Sequence, residues 1–288
     1  KKYEYCIQLI SKDPKDYFAY LRAGDTLREL KQNDEAHEKY LKSLELSNRR
    51  CIEVLNNYGN FEKDLNNDNK AIILYDEGLK INLNDTDLLN NKGNALSSLK
   101  KYEEAIKCYD RGLKIRPNDF LLLRNKANTL DHLEKYEEAI DCYDRALEIK
   151  PKNKNILFFK GNSMSDQKKD EKSIKYYNEV LSIDPKYVGA LNNKGNSLCR
   201  LNKYEEAIDC YDRAIEIDPK YARALNNKAD TLNTLRKYDE AIVCYDKSLA
   251  IDPKNVYALH GKGWTLTEQR KFDEAILCYD KVLEIDPN

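Results

Sequence analysis

The sequence predicts an all-α fold, a solenoid of stacked helix-turn-helix hairpins, on three observations. Pro117, Pro151, Pro185, Pro219, Pro253 and Pro287 stand at a constant step of 34, and Tyr75, Tyr109, Tyr143, Tyr177, Tyr211, Tyr245 and Tyr279 share it. Self-similarity at one period over most of a chain marks a stacked-repeat architecture. Within each period, two stretches with apolar residues at helical spacing alternate with two short breaks. Charged residues make up 34% of the 288, and only 10 are Gly, which suits helices with wet outer faces.

With Val188 as the first place of a unit, eight units begin at Tyr17, Ile52, Thr86, Phe120, Lys154, Val188, Ala222 and Val256 and run to residue 288. The step from the first to the second is 35, which puts one extra residue in the loop around Asn48 to Arg50. Residues 1–16 make a partial N-terminal hairpin, its second helix only. The sixth unit shows the pattern. Leu191, Leu198 and Leu201 form one apolar stripe, and after Asn202-Lys203-Tyr204 a second runs through Ala207, Ile208, Tyr211, Ala214, Ile215 and Ile217. Asp218-Pro219 ends the second helix, because Pro has no amide hydrogen and clashes with the preceding turn.

Two places are held small. The eighth is Gly24, Gly59, Gly93, Ala127, Gly161, Gly195, Ala229 and Gly263; the twentieth is Ala36, Ala71, Ala105, Ala139, Ser173, Ala207, Ala241 and Ala275. Small residues on both helices let the backbones approach, while Tyr40 and its seven counterparts fill the space between hairpins. The helix cost of the glycines is thereby offset by burial.

These residues resemble the tetratricopeptide repeat (TPR) family, which has this repeat length, small residues at these places, an aromatic four residues after the second and a closing Pro. One departure is the family's frequent Trp at the fourth place, which here is Tyr20 and then Leu from Leu55 to Leu259. The resemblance implies a right-handed superhelix whose first helices line a concave groove. Such an array buries its core between neighbours, so its stability is a sum of local terms.

A second pattern lies on the first helices. The word LNNKGN stands at 89–94 and 191–196, with LNNYGN at 55–60 and LNNKAD at 225–230. Three Asn and one Gly in place of Ala cost a helix on the order of 3 kcal/mol. Asn takes the fifth, sixth or ninth place in 14 of 24 slots, among them Asn57, Asn60, Asn91, Asn94, Asn125, Asn128, Asn193, Asn196 and Asn227. Those places share one face of the helix, the side that the resemblance turns into the groove. A primary amide offers two donors and a two-lone-pair acceptor, so a row of them can grip a peptide backbone without reading its side chains. The row is similar to the asparagine ladder in the repeat arm of O-linked N-acetylglucosamine transferase, with interruptions at Arg22, Phe159 and Gly261. The bland alternative is solvated filler in an Asn-rich chain. Against it, the second helices carry mostly Asp, Glu, Lys and Arg.

Phe158 and Phe159 differ from every other unit and are candidates for an aromatic anchor in the groove or for compensating core, and His260 with Trp264 is a lesser one. The family's carboxylate clamp needs Lys at the fifth place, which no unit has; the nearest match, Arg124 with Asn128, meets Phe159 where Asn is required.

Other chemistries find little support. The 49 basic and 50 acidic residues nearly cancel and alternate within helical words, which argues for local pairing rather than for a nucleic-acid partner. Five of eight cysteines, Cys108, Cys142, Cys210, Cys244 and Cys278, repeat at one place, too far apart across packed helices for a disulfide. They read as small apolar residues in a reducing compartment. His37, His132 and His260 lie in different units, so no metal is expected, and Gly261-Lys262-Gly263 falls inside a helix rather than in a phosphate loop. No cofactor is expected. No apolar run is long enough to cross a bilayer and the first residues lack a signal-peptide pattern, so a cytoplasmic protein away from membranes is expected.

The expected function is a non-catalytic scaffold that binds an extended peptide or partner protein in the concave groove. The alternative is the substrate-selecting arm of a larger enzyme whose catalytic domain is absent from this chain. The last helix still carries Ile276, Tyr279, Val282 and Leu283 in the pattern used for stacking, so either the native chain continues or this edge self-associates.

Overall fold

The computed structural model describes residues 2–286; Lys1, Pro287 and Asn288 lie outside the described residues, and with them the last member of the proline period. Helix α1 (Lys2–Lys12) precedes four hairpins: α2 (Tyr17–Glu29) with α3 (Asn33–Leu46), α4 (Ile52–Asp64) with α5 (Asp68–Ile81), α6 (Thr86–Ser98) with α7 (Tyr102–Ile115), and α8 (Phe120–His132) with α9 (Tyr136–Ile149). These belong to one compact unit, Lys1–Lys150. The other, Pro151–Asn288, holds α10 (Lys154–Asp166) with α11 (Asp170–Ile183), α12 (Val188–Arg200) with α13 (Tyr204–Ile217), α14 (Ala222–Thr234) with α15 (Tyr238–Ile251), and α16 (Val256–Glu268) with α17 (Phe272–Ile285). Among the described residues there is no strand.

Local chemistry sets the boundaries. Asp85 caps α6 by accepting from the amides of Asp87 and Leu88, and Asp119, Asn153 and Asn255 cap α8, α10 and α16 in the same manner. Each first helix ends in one left-handed residue. In the third hairpin it is Lys100, at φ 59°, after which the amide of Lys101 bonds back to the carbonyl of Leu96 at 2.9 Å. None of these residues is Gly, although Asn66 and Asn202 hold the place in two hairpins. The loop expected to hold the extra residue has two left-handed residues in succession, Asn48 and Arg49. From α7 to α15 the second helices stop at an extended residue before proline, as at Asp184 with φ −137°.

The tyrosine row forms the core. Tyr40, Tyr75, Tyr109, Tyr143, Tyr177, Tyr211 and Tyr245 are the largest fully buried side chains. Their rings lie under the eighth-place residues. A Cβ on Gly59, Gly93 or Gly195 would come within 2.5 Å of the ring of Tyr75, Tyr109 or Tyr211. The cost of Gly in a helix interior, about 1 kcal/mol, is thus set against a clash.

Within each unit the first helices of successive hairpins touch one another, α2 to α4 to α6 to α8 and α10 to α12 to α14 to α16, whereas the second helices of successive hairpins do not approach comparably. The first helices therefore form the inner row of each stack. Charge pairing differs from the sequence expectation. Among the described residues, pairs along one helix are few, and bridges join neighbouring helices: Lys92 to Asp76 at 2.6 Å, Lys126 to Asp110 at 2.7 Å and Lys262 to Asp246 at 2.6 Å. A first-helix Lys thus reaches the preceding second helix, because the 16-residue offset is adjacent in the stack.

Candidate functional site

The inner row carries the asparagines, and most of them bond to one another across hairpins. Asn91 Nδ2 donates to Asn56 Oδ1 at 2.8 Å, Asn125 Nδ2 to Asn90 Oδ1 at 2.9 Å, and Asn227 Nδ2 to Asn192 Oδ1 at 2.9 Å. Each is a rung from the sixth place of one hairpin to the fifth place of the hairpin before it. Where the fifth place is not Asn, the rung moves to the ninth. Asn57 Nδ2 reaches Asp25 Oδ2 at 3.2 Å, past Leu21, and Asn193 Nδ2 reaches Asn162 Oδ1 at 2.9 Å, past Phe158.

The ninth-place residues have a further task. The buried Tyr75, Tyr109, Tyr143 and Tyr211 hydroxyls donate to Asn60, Asn94, Asn128 and Asn196 at 2.7–2.9 Å. Burial pushes these phenols well above their ordinary pKa, so they remain protonated donors. Asn60 and Asn94 therefore satisfy hydroxyls that would otherwise be stranded in the core, whereas the Tyr143 hydroxyl also meets Asp131 Oδ2 at 2.6 Å and that of Tyr211 lies 3.5 Å from Cys199 Sγ.

The rungs leave amide capacity open. Asn56 and Asn90 accept but use neither N–H in the rung, and Asn91 and Asn227 donate but use no carbonyl oxygen there. Asn56, Asn90, Asn91 and Asn227 are half-buried, whereas Asn125, Asn192 and Asn226 are buried. Asn125 Oδ1 also accepts from Arg124 Nε at 3.1 Å. Over α6 and α8 the face holds a polar hollow of about 350 Å³ that brings together Asn94, Asn125 and Asn128 with Ser97 and Thr129.

Phe158 and Phe159 are half-buried, with ring centroids 5.8 Å apart; Phe158 also packs on Tyr187 at 5.1 Å and Tyr177 at 6.1 Å. The cysteines are free; Cys108, Cys142, Cys210, Cys244 and Cys278 are buried, and burial pushes their thiols up. Among the described residues no group of His, Cys, Asp and Glu is placed to hold a metal ion. No helix among them is long and apolar enough to cross a membrane.

Sequence reasoning missed three parts of this arrangement. The tyrosine-to-ninth-place bond was readable as a fixed 15-residue offset between Tyr and Asn or Asp, and the rung as an offset of 35 between sixth and fifth places. Asp25 and Asp230, which replace Asn at the ninth place, were the third.

Two tetratricopeptide repeat family models match the sequence, one at 86–119, 121–153, 188–221, 222–255 and 256–288, the other at 19–50 and 155–187. The chain belongs to the tetratricopeptide repeat family. As a TPR protein it is a helical solenoid and a protein–protein interaction scaffold. Similar solved structures include a TPR protein from Parabacteroides merdae, with a TM-score of 0.68 at 18% identity, covering 82% of this chain and 93% of that one. The TPR protein YrrB, described as having an unusual peptide-binding site, gives a TM-score of 0.53 at 23% identity over 65% of this chain and 97% of its own. MamA gives 0.52 at 22% identity over 58% of this chain and 92% of its own. At these identities the likeness speaks for the fold. The search of curated proteins found no match.

Proposed function

We propose that this TPR scaffold is non-catalytic and binds its partner as an extended segment laid along the concave row of first helices, held by the backbone. One observation carries the reading: the three rungs that end at the fifth place, on Asn56, Asn90 and Asn192, leave an N–H group there and, as at Asn91 and Asn227, a carbonyl at the sixth that the rung does not use. That is the complement of one peptide unit, which offers one carbonyl and one N–H. The rungs also hold the amides in place before a ligand arrives, which lowers the ordering cost of binding.

Spacing supports the same arrangement. Packed helices lie 8–10 Å apart and an extended chain rises about 3.3 Å per residue, so one rung meets roughly every third residue. Side chains between those points are left unread by the rungs. Arg124 and Phe158 each hold the fifth place of their own first helix and would contact a segment bound there, the guanidinium as a donor and the ring as an apolar wall.

The experiment is ester replacement. A binding segment is selected from a displayed peptide library, and its backbone amides are replaced one at a time by esters, which removes an N–H and leaves the side chains. Losses of about 3- to 10-fold at positions roughly three residues apart, the scale of single hydrogen bonds, are expected. Uniform tolerance of the esters, with affinity set by side-chain substitutions alone, contradicts backbone gripping.

A further inference from the structure

The asparagine pattern stops at α16, where the fifth, sixth and ninth places are His260, Gly261 and Trp264. A cavity of about 590 Å³ opens there between α14 and α16. Its walls include the rings of Tyr245, Tyr257, His260 and Trp264, with Tyr257 and Trp264 56% and 43% exposed, and its floor includes Asp230 and Gly261. Gly261 matters because a Cβ there would fall 2.6 Å from the Tyr245 ring, so any side chain would crowd the opening. It also breaks the ladder. Asn226 Oδ1, at the fifth place of the preceding hairpin, is buried and has no donor, whereas its counterparts Asn56, Asn90 and Asn192 each accept from a sixth-place Asn.

Asp230 supplies the charge. It takes the ninth place, where most hairpins have a neutral Asn, and its two oxygens accept from the Tyr245 and Tyr257 hydroxyls. Burial and these bonds push the Tyr257 phenol up to about 12 and raise that of Tyr245, so both phenols stay donors to Asp230. Two lone-pair directions remain open. Asp230 has no ion-pair partner among the described residues, and no Lys or Arg lines the cavity. The neighbouring Lys228 and Lys262 are engaged by Asp212 and Asp246. The cavity of similar size beside α1 differs, because Arg22 lines it together with Asp25.

We propose that this pocket takes a cationic side chain, Lys or Arg, of the extended segment bound on the inner row, with Asp230 as its counter-ion and Tyr257 and Trp264 as the aromatic walls. The assignment rests on the extended-segment reading and gives the partner one required chemistry. An ammonium or guanidinium over aromatic faces beside an unpaired carboxylate gains both cation–π attraction and a charge-assisted hydrogen bond. A carboxylate-bearing side chain would meet Asp230 at close range and be repelled, and a neutral apolar one would fill the volume while leaving that charge unpaired.

Trp264 is the chain's one tryptophan, so its fluorescence reports on this pocket directly. The test titrates the whole chain at pH 8 and low salt with blocked Gly-Ser peptides carrying a central Arg, citrulline, norleucine or Glu, and separately with N-acetyl-arginine amide. The Arg peptide is expected to give a saturable change and to bind about 10-fold more tightly than the citrulline peptide, the scale of one desolvated cation–π contact. Asp230→Asn, which restores the residue used at this place in five other hairpins and keeps an acceptor for Tyr245, removes the counter-ion but not the aromatic walls and is expected to reduce that preference by about 3-fold or more, with unchanged circular dichroism. Equal binding of Arg and citrulline, an unchanged preference in Asp230→Asn, or no saturable signal from any probe overturns the proposal. The two readings fail separately. If the arginine amide titrates Trp264 and the long peptides bind no better, the pocket stands and the extended groove falls; if citrulline equals Arg while the Asn face still governs peptide affinity, the groove stands and the pocket falls.

Discussion

Replacing Asn60 by Ala isolates the energetic role of a ninth-place residue. Tyr75 is fully buried, and its hydroxyl donates to Asn60 Oδ1 at 2.8 Å. Alanine removes that acceptor. A buried hydroxyl left without a partner costs about 1–3 kcal/mol, and the better helix propensity of Ala over Asn returns roughly 0.6 kcal/mol. The balance is a loss of about 1–2 kcal/mol. Asn60→Asp keeps an acceptor, as Asp25 does for Tyr40 at 2.7 Å, and is expected to cost under about 0.5 kcal/mol. A stacked array does not unfold as one two-state body, so the assay is native-state hydrogen exchange. Amides of α4 and α5 are expected to lose about 10-fold protection in Asn60→Ala, the equivalent of about 1.4 kcal/mol, with α16 and α17 unchanged. Unchanged protection of α4 and α5, or Asn60→Asp as damaging as Asn60→Ala, refutes the assignment of this asparagine to the core hydroxyl.

Three further outcomes follow from burial and backbone geometry. Native protein treated with iodoacetamide is expected to label the half-buried Cys51 and Cys199 at least about 10-fold faster than Cys108, Cys142, Cys210 and Cys244, whose burial disfavours the thiolate, as read by peptide mass spectrometry. The core phenols have folded pKa values raised above the unfolded value of about 10, so their contribution to stability is intact below that pH and is lost as pH rises beyond it. Helical circular dichroism is therefore expected to hold to about pH 10 and to collapse above it. Glu134 sits at φ 57° in a hairpin turn, where an L residue is strained and Gly is not, so Glu134→Gly is expected to raise the thermal midpoint of its neighbourhood by an amount equivalent to up to about 1 kcal/mol.

The fold was legible because the features that fix it are local and repeated. Small eighth-place residues, a Tyr sixteen residues on and a closing Pro each have one packing reason, and Gly59 against Tyr75 shows it directly. The face that carries Asn was also legible, since helical spacing alone puts the fifth, sixth and ninth places together. The partners of those asparagines were not. Asn91 bonds to Asn56 and Asn60 accepts from Tyr75, and such pairs depend on how hairpins lie against one another rather than on spacing within a helix. The same limit applied to charge. The Lys92–Asp76 bridge spans two hairpins, whereas the alternating signs along KYEEAI suggest pairing within one helix. At α16 the sequence offered only His260 and Trp264 as a pair, and the role of Gly261 emerged from the space it leaves beside Tyr245.

The most direct test of the central claim is the equilibrium affinity of a selected inner-row peptide for the wild-type chain and for the triple variant Asn91→Ala, Asn125→Ala and Asn193→Ala. A control variant carries Lys107→Ala, Asp141→Ala and Asp209→Ala on the exposed sides of second helices. Each lost amide is worth about 0.5–1.5 kcal/mol of net hydrogen bonding, so the account predicts affinity weaker by about 10-fold or more in the asparagine variant, helicity preserved, and the control within about 2-fold of wild type. Equal affinity of the asparagine variant and the wild type for that peptide contradicts it.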